Sequence, residues 1–119
     1  MDNQEKGIKY EVLATQLLTR SGFTIIENNY SAQNKGEIDI IAIENATRTL
    51  VFVEVKARDN PSFEHPLAAL TKPKIRKIIK AAEKYLSYAP KNYTAVRFDV
   101  IAFTCDNAEH IKNAFYGYF

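Results

Sequence analysis

The sequence is short of the features that staple, export or embed a chain. Its one cysteine, Cys105, cannot close an internal disulfide, which points to a reducing, cytoplasmic setting. No His lies near Cys105 in sequence, so it reads as a small core-edge residue rather than a nucleophile. No apolar run approaches the ~18 residues of a membrane-spanning helix, and no membrane partner is expected. The polar, acidic opening from Met1 to Glu5 lacks the pattern of a signal peptide. No His, Cys or carboxylate follows His65 at zinc-ligand spacing, which disfavours a zinc site. Repeats, low-complexity tracts, helix-turn-helix patterns and zinc fingers are all missing. The net charge of +2 is too small to call for a nucleic acid by itself.

What is there suits an ordinary soluble domain. A chain of 119 residues, 46% hydrophobic and 25% charged, fits one domain over residues 1–119 with a real core. Its charge is unevenly spread. Between Thr71 and Lys84 stand Lys72, Lys74, Arg76, Lys77, Lys80 and Lys84 against Glu83 alone, a local +5 on a chain whose total is +2. Such a patch is the footprint of phosphate contact.

The most informative stretch is GEIDIIAIENATRTLVFVEVKAR, Gly36 to Arg58, which reads as two strands joined by a polar loop. Asp39, Glu54 and Lys56 sit in it among Ile, Val, Ala and Phe, where an unpaired charge costs several kcal/mol. Residues two apart share a strand face, so Phe52, Glu54, Lys56 and Arg58 point one way. Val51, Val53, Val55 and Ala57 point the other, toward the expected core. In the first strand Glu37, Asp39 and Ile41 share one face, and Ile38, Ile40 and Ala42 the opposite one. A turn centred between Ala46 and Thr47 puts Asp39 opposite Glu54, with Lys56 one step along. Two carboxylates side by side repel unless a proton or a cation lies between them, and oxygen ligands of this kind suit Mg²⁺.

The remaining elements follow from periodicity and turn residues. A helix is expected over Glu5–Ser21, with Tyr10, Leu13, Ala14, Leu17 and Leu18 on one stripe and Gly22 as its stop. Glu11, at the edge of that stripe, reads from the pattern alone as a solvated glutamate. FTIIE, Phe23 to Glu27, predicts a short strand, followed by a polar loop from Asn28 to Lys35. Two prolines in a Ser/Asn cluster, Asp59 to Pro66, mark a loop in which His65 is a surface residue. A second helix spans Lys72–Ser87, capped by Thr71, with Pro73 in its first turn. Ile75, Ile78, Ile79, Ala82, Tyr85 and Leu86 form its buried stripe, and Lys77, Lys80 and Lys84 the opposite one. AVRFDVIAFT, Ala95 to Thr104, predicts a strand with Val96, Phe98, Val100 and Ala102 on one face and Arg97, Asp99, Ile101 and Phe103 on the other. The Arg97–Asp99 pair reads as a structural ion pair. A last short strand, His110 to Phe115, packs Phe115 and Phe119. The order is that of an α/β fold with a mixed central sheet flanked by helices.

GEIDIIA, FVEVKAR, TKPKIRKIIKAAEKYL, RFDVIAF and the terminal NAF, in this order, resemble the bacterial YraN family of predicted endonucleases. That family is placed in the PD-(D/E)xK superfamily with the Holliday junction resolvases. The proline of the superfamily name is replaced here by Glu37-Ile38, as in the YraN family. The resemblance implies a restriction-endonuclease-like core and a nuclease acting on DNA rather than RNA, with Mg²⁺ or Mn²⁺ as cofactor. It implies that Asp39 and Glu54 bind the metal, with the Val55 carbonyl and Glu11 as further ligands, and that Lys56 serves the attacking water or the developing charge. Lys74 matches a lysine the family keeps, and Arg58, Lys72, Lys77 and Lys80 join it as nucleic-acid contacts. A homodimer follows by analogy with the resolvases. The alternative is a non-catalytic nucleic-acid-binding module on the same fold, with Lys56 merely pairing Glu54 or Asp39. A protein-interaction domain has the least support, since most of the seven Tyr and seven Phe sit at core spacing.

Overall fold

A computed structural model describes residues 2–58 and 65–117. The chain runs α1 (Asn3–Arg20), β1 (Phe23–Ala32), β2 (Gly36–Glu44), β3 (Thr49–Arg58), a 3-10 turn (Pro66–Ala69), α2 (Lys72–Leu86), β4 (Ala95–Thr104) and β5 (Asn107–Phe115). The five strands form one sheet in sequence order. β1, β2 and β3 are an antiparallel meander, β4 lies parallel to β3, and β5 returns antiparallel to β4. The parallel pair requires a crossover, which α2 supplies. This is the expected mixed α/β architecture, consistent with a restriction-endonuclease-like core. Among the described residues no helix is long and apolar enough to cross a membrane.

The helix ends obey the capping chemistry in the sequence. Thr71 accepts from the Lys74 N–H at 3.3 Å, and Pro73 sits in the first turn of α2. α1 starts two residues earlier than expected because Asp2 caps it, accepting from the Glu5 N–H at 2.8 Å. Gly22 follows α1 at φ 90°, a left-handed conformation that glycine adopts without steric cost.

Both faces of the sheet are buried. On one, Leu50, Phe52, Ile41 and Phe98 pack against Ile78, Ala81, Ala82 and Tyr85 of α2. On the other, Ile40, Ala42, Val51, Val53, Ile101 and Phe103 pack against Tyr10, Ala14 and Leu18 of α1. The expectation of a single core face on β3 is therefore corrected: Phe52 is as deeply buried as Val51 and Val53. Strands covered by helices on both sides read as continuous apolar runs, and TLVFV is one.

Other boundaries also move. The loop expected from Asn28 to Lys35 is mostly strand: β1 continues to Ala32 after a bulge between Ile25 and Glu27. Tyr30 and Ala32 are buried, which pins this polar edge segment to the sheet. β5 begins at Asn107 rather than His110, and Phe115 stacks on Phe98 with centroids 4.8 Å apart. Cys105, expected at the core edge, is exposed in the β4–β5 turn at φ 49°. His65 is exposed, as expected, and Pro66 opens the 3-10 turn. Phe119 and residues 59–64 of the proline-containing loop lie outside the described residues.

Candidate active site

β2 and β3 pair from Glu44↔Thr49 to Ile40↔Val53, every pair summing to 93 as the turn position requires. The next rung would be Asp39↔Glu54, and there the ladder ends. Instead the Asp39 Oδ2 accepts the Val55 N–H at 2.7 Å, so a side chain replaces the backbone partner as the strands diverge. The alternation of β2 breaks at the same place. Ile38 joins Ile41 on the α2 side, although two-residue spacing assigns it to the face of Ile40 and Ala42.

A cleft of about 380 Å³ opens where the strands part, lined among others by Glu11, Asp39, Glu54, Val55, Lys56 and Lys74. A second hollow of about 370 Å³ shares Asp39, Glu54 and Lys74 with it and continues past Gly36, Glu37 and Lys77. Gly36 allows this junction. Its φ is 128°, and a Cβ there would meet the Lys77 carbonyl oxygen of α2 at 2.8 Å.

In the cleft, burial and the contact between the two acids outweigh the nearby lysines. Burial pushes the Glu54 carboxyl up to about 9, and its hydrogen bond and charge contact with Asp39 push in the same direction. Glu54 thus keeps a proton at neutral pH and hydrogen-bonds Asp39. The Lys56 amine is held below its usual range, first by burial and then by its hydrogen bond with Lys74. Glu11 is raised by burial, partly offset by the Asn29 side chain that hydrogen-bonds it.

The structure thus brings Glu11, Asp39, Glu54, Val55, Lys56 and Lys74 into one cleft. Val55 meets Asp39 through its N–H, beside the carbonyl expected as a ligand. Among the described residues no three His, Cys, Asp or Glu side chains stand close enough to form a metal cluster. Glu11 shares the cleft without closing a three-carboxylate group. The donor set that fits a metal is therefore the Asp39–Glu54 pair, hard oxygens within hydrogen-bond contact of each other. Mg²⁺ is commonly held by one or two carboxylates and several waters. Of the expected nucleic-acid contacts, Lys77 borders the second hollow, while Lys72 and Lys80 are exposed on α2 outside both cavities. Arg58, at the end of β3, donates from Nε to Thr104 Oγ1 at 2.9 Å. Asn29, which holds Glu11, was not anticipated. Its only local signal is an Asn-Asn pair suited to its left-handed φ of 53°.

A second charged cluster lies on the α1 face of the sheet. Asp99, with no exposed surface, accepts from Arg97 Nε at 2.8 Å, Arg97 Nη2 at 2.9 Å, His110 Nε2 at 2.8 Å and the Asn113 N–H at 3.0 Å. Arg97 also reaches Glu44 at 3.0 Å, and Lys112 reaches the other Glu44 oxygen at 2.7 Å. Arg97 and Lys112 hold the Glu44 carboxyl down at about 2. Burial pushes Asp99 up, but His110, Arg97 and Asn113 more than offset it and hold it below its usual range.

The fold and cleft define a mixed α/β protein with a carboxylate pair and two lysines at the point where its central strands diverge. The family model described as "Uncharacterised protein family UPF0102" matches residues 10–103, a span that includes every candidate site residue. The chain belongs to that family. A UPF0102 protein of Geotalea daltonii is 44% identical over 119 residues, covering 96% of this chain and 91% of the relative. One from Pelobacter propionicus is 41% identical, covering 96% and 84%, and one from Persephonella marina is 41% identical, covering 92% of each.

Proposed function

We propose that the chain is a metal-dependent nuclease that hydrolyses phosphodiester bonds of DNA. The observation that carries this reading is the Asp39–Glu54 pair, in hydrogen-bond contact and flanked by Lys56 and Lys74 in an open cleft, with Glu54 buried. A fold gains nothing from a buried Glu54 carboxyl pressed against Asp39, whereas a divalent cation can use both. The resemblance to the PD-(D/E)xK nucleases supports the same assignment.

In this reading Asp39 and Glu54, with the Glu54 proton lost, would hold Mg²⁺ or Mn²⁺ on their oxygens, with the Val55 carbonyl and Glu11, through water, available as further ligands. The ion would polarise the scissile phosphate and lower the pKa of a bound water. The Val55 N–H fixes the Asp39 carboxylate in place. Lys56 orients the attacking water or stabilises the charge that develops on the phosphate. Lys74 keeps a second positive charge at the phosphate, and Lys77, Lys80, Lys72 and Arg58 carry the flanking backbone.

Calorimetric titration of Mg²⁺ and Mn²⁺ into wild type and Asp39→Ala, with cleavage assays on nicked, branched and single-stranded DNA, tests the assignment. Metal binding and cleavage are expected in wild type and neither in the variant. Cleavage retained by Asp39→Ala would sink the proposal.

One observation favours a second reading, a DNA-binding module without chemistry: a proton on Glu54 already lets it hydrogen-bond Asp39, and among the described residues no third carboxylate closes the group. Salt-dependent DNA binding unaffected by Mg²⁺ and by loss of Asp39 would select it.

A further inference from the structure

Beside the active cleft lies a third cavity, and the nuclease reading leaves it unused. It shares Lys56 and Ala57 with the cleft, so a ligand in one is next to a ligand in the other. Its volume is about 220 Å³. A water needs only ~10–15 Å³ of such space, so the cavity has room for a ring system. Its lining is of two kinds. Ala57, Ala102 and Phe103 from β3 and β4 are apolar, and so are Pro66 and Ala69 of the 3-10 turn, which also line it. Lys56, Arg58 and His65 add two cations and an imidazole.

The polar members are held in place. His65 Nδ1 accepts the Leu67 N–H at 3.2 Å, which pins the ring and leaves Nε2 as the nitrogen that can meet a ligand. Arg58 Nε donates to Thr104 Oγ1 at 2.9 Å, which fixes the plane of the guanidinium. Imidazole rings and guanidinium planes are the surfaces on which unstacked bases are received. Apolar walls, a fixed donor and cationic neighbours suit a flat heteroaromatic ring attached to a phosphate.

We propose that this cavity takes an unstacked nucleobase beside the cleaved bond. The preferred substrate is then a strand with an unpaired nucleotide at that position, not a continuous duplex. A base inside a duplex is stacked and paired and cannot enter without first being freed. The inference rests on the nuclease reading, because the phosphate attached to that base is the one placed at Lys56 and Lys74.

Two arms separate this claim from the reading beneath it. In metal-free buffer, the wild-type chain is titrated with DNA carrying a fluorescent adenine analogue, either unpaired in an overhang or inside a duplex. The unpaired probe is expected to change its emission on binding and the paired one not. Ala69→Leu, which fills the cavity from an exposed position, should abolish the change and weaken overhang binding by about tenfold, the scale of one lost stacking contact. His65→Ala serves as a second variant. Equal emission change and affinity for both probes, or no effect of either variant, would overturn the proposal. In the second arm Mg²⁺ is added and cleavage is followed. Overhang DNA cut and duplex spared supports the pocket; duplex cut equally well overturns it. If no DNA is cut while the first arm holds, the nuclease reading falls and the base pocket stands.

Discussion

The molecule contains two clusters of buried charge, built from nearly the same residue types on the same sheet. In one, Asp99 and Glu44 are ringed by Arg97, His110 and Lys112, and their carboxyls are held low. In the other, Glu54 is pressed against Asp39, and its carboxyl is driven up to about 9. The first cluster has used its charges on one another, and its work is to join β2, β4 and β5. The second lies where two strands part, with its two acids pressed against each other and its two amines crowded together. Charge complementarity thus separates a network whose charges satisfy one another from one whose acids and amines do not, where residue type and burial alone would not.

The sharpest break in this comparison is loss of a carboxylate from each cluster. Asp39→Ala should bring cleavage down to background while costing little in the chemical denaturation midpoint, because it gives up the bonds to the Val55 N–H and Glu54 but leaves no partner as an unpaired buried charge. Asp99→Ala should do the reverse. It strands Arg97 and His110 and should cost about 3–5 kcal/mol in urea unfolding, with the surviving folded protein still cutting DNA. Equal stability losses in both variants would erase the distinction.

Lys56→Met probes the same contrast within the cleft. It should lower the single-turnover cleavage rate by about 10²–10³-fold, the scale of one lost donor to a developing oxyanion, with little change in DNA affinity.

Titration supplies a finer test. Glu54 has its folded pKa raised from 4.5 to about 9, so it binds a proton that the unfolded chain releases. Its contribution to stability is whole below about pH 4.5 and is lost as pH rises through about 9. Metal-free wild type should therefore melt at a lower temperature at pH 9 than at pH 6, and Glu54→Gln should flatten that slope. Glu44, lowered to about 2, runs the other way: its stabilisation is present above pH 4.5 and lost as pH falls through about 2. Glu44→Gln should therefore be destabilising at neutral pH and nearly neutral at the acid extreme.

The smallest effect is expected on the exposed face of α2. Lys80→Ala should weaken DNA binding alike for all sequences and reduce the slope of log affinity against log salt by about one, with cleavage chemistry unchanged.

How much of this was legible in the sequence depends on how local the determinant is. The hairpin register was readable because a short turn and a period of two fix every rung, and the pairs summing to 93 follow. Capping by Thr71 and the two faces of β4 were readable for the same reason. The buried second face of β3 was hidden, since an unbroken apolar run contains no alternation to read. β1 was cut short because Asn28, Asn29 and Ser31 are turn-like residues, although Tyr30 and Ala32 carry the two-residue period that holds it in the sheet. The Asp99 network was only half visible. Arg97 is two residues away, but Glu44, His110 and Lys112 come from neighbouring parts of the sheet, and only the strand order brings them together.

The place where the β2–β3 ladder stops has a further consequence. Rungs come in whole residues, so the opening between the strands cannot slide continuously along them. A hairpin loop that re-registered the pair by one residue would bring Ile38 or Ile40 opposite Glu54, and the acid pair would no longer exist. The four residues Asn45 to Arg48 are far from the cleft, about 20 Å away at the rise of an antiparallel strand. They nonetheless act as its ruler, so the length of a loop that touches no substrate decides whether two carboxylates meet.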